Sequence, residues 1–492
     1  MNFINSDNLI SKFAIPWLLV TVLAWGFISF FANFNSLLEL FHDDSFFYMV
    51  LARNVSNGFG YSFDMVSLTN GFHPLWLWML SGISYFIELK GDIGIRIVTF
   101  IYGFFSISSA FIYLSILKAQ KCSKASHFIF TSIYILGCSF ADVGLESALF
   151  GLLFSAFVWM SFIVHWEKLF FLCPLIITSL IFCRQDSVFI ISAVGLAFFL
   201  SKRNAEALVV FSSIFVGLIL LAIFNDVNFG HSRSISSWLK FHFEISNFSQ
   251  LLTIGLSARI FFIFLMLGVA FYISKKKQKN IWIYNLIKSS LILYTVYFLI
   301  LFSSVQALGS WYLNQVFAFS LFLFFLAISN FKGFNKYKLF SSLLIALLFI
   351  ASLTLVTRKM FFDSIAYGGA KMGMYIKDNT TTYDVFFNVD GSGRLSYFSE
   401  RKLINGDGLV NNMQYHEFIK EGRICDYLKN NKVTHIVTNA PVTGSYVIDQ
   451  VPLWRDKKYL VFLKADVRDS IHHVGSYRLF KFTDKILSCK NS

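Results

Sequence analysis

A succession of long apolar segments constrains this chain more than any other feature of its sequence. Hydrophobic residues make up 56% of its 492 residues and charged residues only 14%, whereas soluble domains carry about 25% charged residues. A membrane-crossing helix needs about 20 apolar residues. The sequence therefore predicts a polytopic α-helical membrane protein with about eleven crossings. We place the candidate spans near 13–33, 93–117, 127–141, 147–165, 168–183, 187–201, 206–224, 257–274, 281–304, 312–331 and 338–357.

The basic residues between these spans predict which helix ends face the cytoplasm. Lys and Arg accumulate in cytoplasmic loops, so we interpret the net charge of +14 as a signal of topology rather than of nucleic-acid binding. All basic loops fall on the side of the N-terminus if the apolar stretch 73–87 lies along the outer surface instead of crossing. The C-terminal residues then lie outside. The basic loops are 118–124, 168, 202–203, 275–279 and 332–338.

The chain becomes polar after the last predicted span, which divides it into a membrane module, 1–357, and a C-terminal domain, 358–492. Short alternating segments at 383–389 and 434–438 predict strands, and the amphipathic segment 414–430 predicts a helix. This combination indicates a small α/β domain.

Two local features of the C-terminal domain allow a more specific interpretation. Gly391-Ser392-Gly393 follows a predicted strand but lacks the third glycine of a dinucleotide-binding fingerprint, so we interpret it as a turn. Cys425 and Cys489 could form a disulfide if the domain lies in an oxidising compartment.

Two adjacent carboxylates, Asp43 and Asp44, follow the first predicted span. The next residues fit a short helix in the membrane interface, with Phe46 on its apolar side and Arg53 and Asn54 on its polar side. Neighbouring helix residues point in different directions, so we expect the two carboxylates to have different roles. One would face a cavity while the other caps the helix or binds a cation. Alternatively, both only cap the helix N-terminus, where negative charge is favourable.

At this loop the sequence resembles the multi-spanning transferases of the GT-C fold, which take a sugar from a polyprenyl-phosphate carrier. In that group an acidic pair opens a juxtamembrane helix in the first external loop and its first Asp usually acts as base. Asp43 matches that position, and Asp44 matches the second acidic one. The resemblance covers most of the chain, although Gln185 stands where Pro or Thr is more usual. The other similar motifs are Thr69-Asn70-Gly71-Phe72-His73-Pro74-Leu75-Trp76, Gly144-Leu145-Glu146-Ser147-Ala148-Leu149-Phe150, Arg184-Gln185-Asp186 and 403–410.

Sugar transfer from such a carrier needs a general base near the acceptor hydroxyl and cations near the departing phosphate. The candidate phosphate-binding cations are Arg184, Arg233 and Lys240, with His231 as a weaker candidate. For Arg233 and Lys240 the alternative is a solvated or head-group-binding loop.

The remaining candidate site residues each have a structural alternative. Arg184 could instead pair with Asp186 or Glu146, both of which we also include in the candidate site. His73 either contacts substrate or forms a hydrogen bond at the start of a helix. Tyr312 either stacks on a sugar or belongs to the aromatic belt of the membrane interface.

The resemblance implies an inverting glycosyltransferase in a bacterial inner membrane, with a cytoplasmic N-terminus and an extracytoplasmic C-terminal domain. It would move a sugar from an undecaprenyl-phosphate-linked donor to a glycan or lipid acceptor such as lipopolysaccharide or O-antigen. Asp43 and Asp44 could also supply oxygen ligands to Mg²⁺ or Mn²⁺, although the spacing does not demand a metal. The alternatives are a transporter or flippase for a lipid-linked glycan and a non-catalytic membrane scaffold.

Overall fold

Helices dominate the chain, as the apolar segments predict. The computed structural model describes residues 6–139, 142–163, 166–240, 254–277, 280–304, 311–329, 364–443, 446–451 and 461–483. The chain divides into two compact units. We call Met1–Ala32, Val98–Leu221 and Phe243–Lys359 the helical unit, and Asn33–Ile97, Ala222–His242 and Met360–Ser492 the mixed unit.

The helices before the C-terminal region correspond to the predicted spans and to the first external loop. In chain order they are α1 (Ser6–Phe31), α2 (Phe34–Leu38), α3 (Asp43–Ser56), α4 (Pro74–Phe86), α5 (Gly91–Ala119), α6 (Lys124–Ser139), α7 (Ser147–Ile163), α8 (Trp166–Cys183), α9 (Ser187–Leu200), α10 (Asn204–Phe229), α11 (Ile235–Lys240), α12 (Ile254–Lys277), α13 (Ile281–Ser304) and α14 (Trp311–Ser329).

Among the described residues, three helices are long and apolar enough to cross a membrane. These are Gly91–Ala119, Asn204–Phe229 and Ile281–Leu301. The total of about eleven crossings stays a prediction, and the predicted span near 338–357 lies outside the described residues. Shorter apolar helices cover Leu19–Phe31, Ser147–Phe162, Phe170–Cys183, Ser187–Leu200 and Tyr312–Ile328.

The loop predicted to be the first external one, which we call the first external loop by that prediction, contains two helices. Helix α3 begins with two acids in its first turn, and α4 begins with a proline, which suits a first helical position. The 13 residues of α4 extend about 20 Å. This length is less than the hydrocarbon core of about 30 Å, so it fits the interpretation that 73–87 lies along the surface.

Helix α3 is buried from Ser45 to Asn54, on its apolar and its polar side alike. Arg53 and Asn54 are buried together with their apolar neighbours. The Asn54 side chain donates to the carbonyls of Ser62 and Phe63 at 2.8 and 3.1 Å. The Arg53 guanidinium donates to the carbonyl of Tyr397 at 3.4 Å. A segment more than 300 positions away in the sequence therefore helps to cover α3.

The C-terminal residues form the predicted α/β structure. Strands β1 and β2 pair in parallel, as do β1 and β3, and β8 joins β3 antiparallel. The larger sheet has the order β2-β1-β3-β8-β7, and a second sheet has the order β4-β5-β6. The elements are α15 (Ser364–Asn379), β1 (Val385–Asn388), α16 (Ser392–Ser399), β2 (Lys402–Asn405), α17 (Met413–Lys420), α18 (Ile424–Asn430), β3 (His435–Thr438), β4 (Val442–Thr443), β5 (Tyr446–Val451), β6 (Val461–Asp466), β7 (His472–Val474) and β8 (Tyr477–Lys481).

The helix predicted at 414–430 is divided in two. Helix α17 ends at Lys420, and Gly422 adopts a positive φ of 68° between the two helices, a conformation that glycine reaches without steric cost. Cys425, in α18, is disulfide-bonded. Cys489, its predicted partner, lies outside the described residues.

Candidate active site

Asp43 binds the N-terminus of a helix from the C-terminal region. Its Oδ2 accepts a hydrogen bond from the backbone N–H of Gly393 at 2.8 Å, and its Oδ1 accepts one from that of Arg394 at 2.8 Å. Both amides belong to the first turn of α16. A helix N-terminus carries partial positive charge and free N–H groups, so it stabilises an anion there. The first external loop is thus fixed to the C-terminal α/β structure through its first carboxylate.

The surroundings of Asp43 bring its pKa close to neutrality. Burial raises the pKa of Asp43 to about 6, and the neighbouring charge of Asp44 adds to the rise. The Arg394 guanidinium and the two backbone amides oppose that rise. A general base works best when its pKa lies near the operating pH. The carboxylate therefore has the proton affinity that the predicted role requires.

A third carboxylate, Asp407, lies in the same neighbourhood. Burial raises the pKa of Asp407 to about 7, and the negative charges of Asp44 and Asp390 contribute. The backbone N–H of Leu409 donates to its Oδ1 at 2.8 Å. Asp407 belongs to the 403–410 motif. The resemblance of that motif to the transferases is the only feature of the sequence that points to this carboxylate.

The described residues do not converge on a metal site. Among them, no group of three or more His, Cys, Asp or Glu side chains is arranged so that it could hold a metal ion. The Asp43 oxygens each accept a backbone N–H instead. A divalent cation bound by Asp43 and Asp44 stays a prediction.

Asn70 connects the first external loop to the loop that carries Arg233. Its Oδ1 accepts from the N–H of Ile235 at 2.9 Å, and its Nδ2 donates to the carbonyl of Arg233 at 3.0 Å. The same Nδ2 lies 3.2 Å from Oδ1 of Asn225. Because Asn70 is buried, these bonds fix the loop around Arg233, although the Arg233 side chain itself is exposed.

The other basic candidates of the mixed unit occupy this region or lie next to it. His231 is half-buried, and the side chain of Lys240 lies outside the described part of the chain. His73 occupies the position before α4 and forms no side-chain capping bond. Its backbone N–H donates to the hydroxyl of Tyr48 at 3.3 Å. Neither the predicted capping role of His73 nor a contact with substrate is shown by these bonds, and both stay predictions.

Arg184 lies in a buried ion cluster of the helical unit. Its Nη1 contacts Oε1 of Glu146 at 2.6 Å, and its Nε and Nη2 donate to the two oxygens of Asp186 at 2.9 and 2.8 Å. The hydroxyl of Tyr297 donates to Asp186 at 2.7 Å, and the guanidinium lies 5.2 Å from the ring centre of Tyr312. Arg184 thus pairs with Glu146 and with Asp186, the two acids that the sequence offered as alternative partners.

The mixed unit also contains a cavity of about 290 Å³. One wall is aromatic, and Phe34 and Phe398 meet there edge to face with ring centres 6.0 Å apart. The rim carries an ion pair between Lys377 and Glu400 at 2.5 Å. Ring faces beside hydrogen-bonding charged groups suit a polar ligand with some apolar surface. The lining residues are Phe34, Gly91, Asp92, Met374, Lys377, Tyr397, Phe398 and Glu400.

Comparison with solved structures identifies the fold. Superposition on ArnT from Cupriavidus metallidurans in the apo state gives a TM-score of 0.56, with 11% sequence identity over 88% of this chain and 93% of that chain. ArnT from the same organism bound to undecaprenyl phosphate gives a TM-score of 0.55, with 10% identity over 96% and 99% of the two chains. This chain has an ArnT-like GT-C fold.

The fold implied by the motifs is thereby confirmed at low sequence identity. No protein-family model matches the sequence, and no curated protein matches it either. The match to the second of these structures covers 96% of this chain.

Proposed function

We propose that this chain is an inverting glycosyltransferase that uses a polyprenyl-phosphate-linked sugar. The ArnT-like fold supports this function, because one of the ArnT structures holds undecaprenyl phosphate. The observation that carries the proposal is the geometry of Asp43, a half-buried carboxylate whose two oxygens accept the backbone N–H groups of Gly393 and Arg394 at 2.8 Å. Its pKa of about 6 agrees with this role. The donor would carry its sugar on undecaprenyl phosphate, and the acceptor would be a surface glycan or lipid such as lipopolysaccharide or O-antigen.

The proposed reaction needs one proton transfer and one displacement. The acceptor hydroxyl attacks the anomeric carbon of the donor sugar, and Asp43 takes its proton as the new C–O bond forms. The bond from the anomeric carbon to the phosphate oxygen breaks, and the carrier phosphate leaves as an anion. Attack from the opposite side inverts the anomeric carbon.

The basic residues differ in how readily they could bind that phosphate. Arg184 already contacts two carboxylates, so its positive charge is largely compensated within the protein. Arg233 is exposed on a loop that Asn70 fixes. We therefore assign the phosphate first to the Arg233 loop, with Lys240 and His231 as its neighbours in the sequence, and we treat Arg184 as a residue that holds Glu146 and Asp186.

The disulfide supports an extracytoplasmic C-terminal domain. Disulfides persist in oxidising compartments and are rare in the cytosol, and Cys425 is disulfide-bonded. This agrees with the side predicted from the basic loops. We propose that the chain lies in a bacterial inner membrane with its N-terminus in the cytoplasm.

A transporter or flippase for a lipid-linked glycan is the second candidate function. The ionisable groups available to it are those of the Arg184–Glu146–Asp186 cluster, which lies where α8 ends and α7 and α9 begin, whereas the ionisable groups of transport paths lie within the spans. Proteoliposomes distinguish the two functions. Movement of a lipid-linked sugar between leaflets without any transfer of the sugar would support the flippase.

Mass spectrometry of surface glycans tests the transferase. Cells that express the chain should carry a sugar residue that is absent from cells without it. Asp43→Asn should remove that residue, because an amide cannot accept the proton, and Asp378→Asn, which changes an exposed carboxylate on α15, serves as the matched control. An unchanged glycan in cells with Asp43→Asn would exclude Asp43 as the base. Membrane levels of each variant must be equal for the comparison.

A further inference from the structure

We propose that the turn Gly391-Ser392-Gly393-Arg394 is part of the catalytic apparatus, because it positions the carboxylate of Asp43. The inference rests on the proposed role of Asp43 as base. It assigns the C-terminal domain a direct share in the chemistry, in addition to any part in binding the acceptor. Arg394 and Gly393 are then positioning residues.

The contact fixes both oxygens of Asp43. Two consecutive backbone amides, those of Gly393 and Arg394, each donate to a different carboxylate oxygen at 2.8 Å. A single bond would let the carboxylate rotate, whereas two bonds define the plane of the group. Each oxygen has two lone pairs, so each keeps one for a substrate proton.

Gly393 is required by steric space. A Cβ atom at this position would lie 2.2 Å from the carbonyl oxygen of Asp43 and 2.9 Å from its Oδ2. Any side chain would therefore push the first turn of α3 away from α16. The sequence predicts only a turn at this glycine, whereas the structure places it in close contact with a segment 350 positions away.

The turn itself is held by contacts with the larger sheet. The buried Ser392 hydroxyl donates to the carbonyl and Oδ1 of Asn388 at 3.2 and 3.0 Å. The Asn388 side chain donates in turn to the carbonyl of Val437 in β3 at 2.9 Å. Gly391 has a φ of 78°, and a Cβ there would lie 2.5 Å from the hydroxyl of Tyr477. The turn thus contacts three strands of the larger sheet, β1, β3 and β8.

Arg394 supports the same contact through its side chain. Its Nη2 donates to the carbonyl of Phe41, two residues before Asp43. Its guanidinium also lies 5.6 Å from the ring centre of Phe46, three residues after Asp43. Arg394 therefore contacts the chain on both sides of the carboxylate, and its positive charge favours the ionised form of Asp43.

The same geometry argues against a nucleotide site at this glycine turn. Gly-rich turns at helix N-termini bind phosphates through free amide groups. Here the amides of Gly393 and Arg394 are already bonded to Asp43. The anion that this helix N-terminus accommodates is part of the protein.

Hydrogen exchange in the full-length protein tests the contact without any assay of activity. Amides that lose their acceptor exchange faster. Asp43→Ala should therefore accelerate exchange at Gly393 and Arg394, while the amides of β3 keep their rates. Equal exchange in the wild type and Asp43→Ala would overturn the proposed contact.

Kinetics of sugar transfer test the catalytic consequence. Gly393→Ala should lower kcat by about 100-fold, the scale of a misplacement of about 1 Å, with the affinity for undecaprenyl phosphate unchanged. Gly82→Ala is the matched control, since a Cβ there meets no atom within 4 Å, and it should retain wild-type kcat. Arg394→Lys should retain more activity than Arg394→Gln, because it keeps the charge.

Two results would separate the possible failures. A Gly393→Ala variant with wild-type kcat overturns the positioning role, even if the wild type transfers sugar normally. A wild type that transfers no sugar overturns the proposed function and with it the catalytic role of the turn. The exchange measurement then still decides whether the turn holds Asp43.

Discussion

Replacing Arg184 by methionine should destabilise the protein strongly, because it would leave the buried Glu146 and the half-buried Asp186 without their cation. The side chains of Arg184 and Glu146 are only 6% and 3% exposed, and that of Asp186 is 23% exposed. Breaking a buried pair by removing one partner costs about 3–5 kcal/mol. We expect a value near the lower limit, about 3 kcal/mol, since Asp186 still reaches solvent and Tyr297.

Thermal unfolding in detergent measures this effect. One kcal/mol shifts the melting temperature of a unit of about 250 residues by about 2 °C, so Arg184→Met should lower it by about 6 °C. The melting temperature of Arg184→Lys should lie between those of the wild type and Arg184→Met, because an ammonium cannot reproduce the forked geometry that contacts both acids. Adding Glu146→Gln to Arg184→Met should recover part of the loss by removing one uncompensated charge.

The matched control is Arg423→Met, which removes an arginine from exposed ion pairs with Glu421 and Asp426. Exposed pairs contribute little, so its melting temperature should equal that of the wild type. An Arg184→Met variant that melts with the wild type would refute the buried cluster. The affinity of the variant for undecaprenyl phosphate is a separate result, and its loss in a fully folded variant would return Arg184 to the phosphate site.

Three further predictions concern the base, the loop and the sidedness. The transfer rate should rise with pH through about 6, because Asp43 accepts a proton only when ionised. Asp44→Asn should move this rise to lower pH by removing a negative charge. A rise near pH 4 in the wild type would contradict the raised pKa of Asp43. Asn70→Ala should lower the free energy of unfolding by about 2 kcal/mol, because it leaves its buried partners without hydrogen bonds. An unchanged melting temperature would show that other contacts hold the loop around Arg233. Cysteine at position 233 should react with an impermeant thiol reagent in intact cells, whereas cysteine at position 276 should react only after permeabilisation. The reverse pattern would show that the predicted topology is inverted.

Local sequence patterns predict the elements of this fold well. Apolar segments predict the helices, and alternation predicts strands such as β1 and β3, because each pattern depends on neighbours within a few residues. The two aspartates at the start of α3 also follow from local chemistry, since acids favour a helix N-terminus. These features require no knowledge of which segments meet in the folded chain.

The contacts that define the candidate site are not local. Asp43 and Gly393 are separated by 350 positions, and no periodicity links a carboxylate to an amide at that distance. The Arg53 guanidinium donates to the carbonyl of Tyr397, so the pattern around α3 alone could not indicate what covers this side chain. For Arg184 the sequence did contain the answer as an alternative, because a buried cation needs acids and two were available.

Release of undecaprenyl phosphate from a lipid-linked sugar tests the central claim most directly. The purified full-length protein would be given lipid-linked donors and surface glycan extracted from cells, and the free carrier would be measured in a single turnover. The wild type should release the carrier only when both donor and glycan are present, and Asp43→Asn should be slower by about 10²–10⁴-fold, the contribution of a general base. Equal release by the wild type and Asp43→Asn, or release without the glycan, would contradict the proposed mechanism.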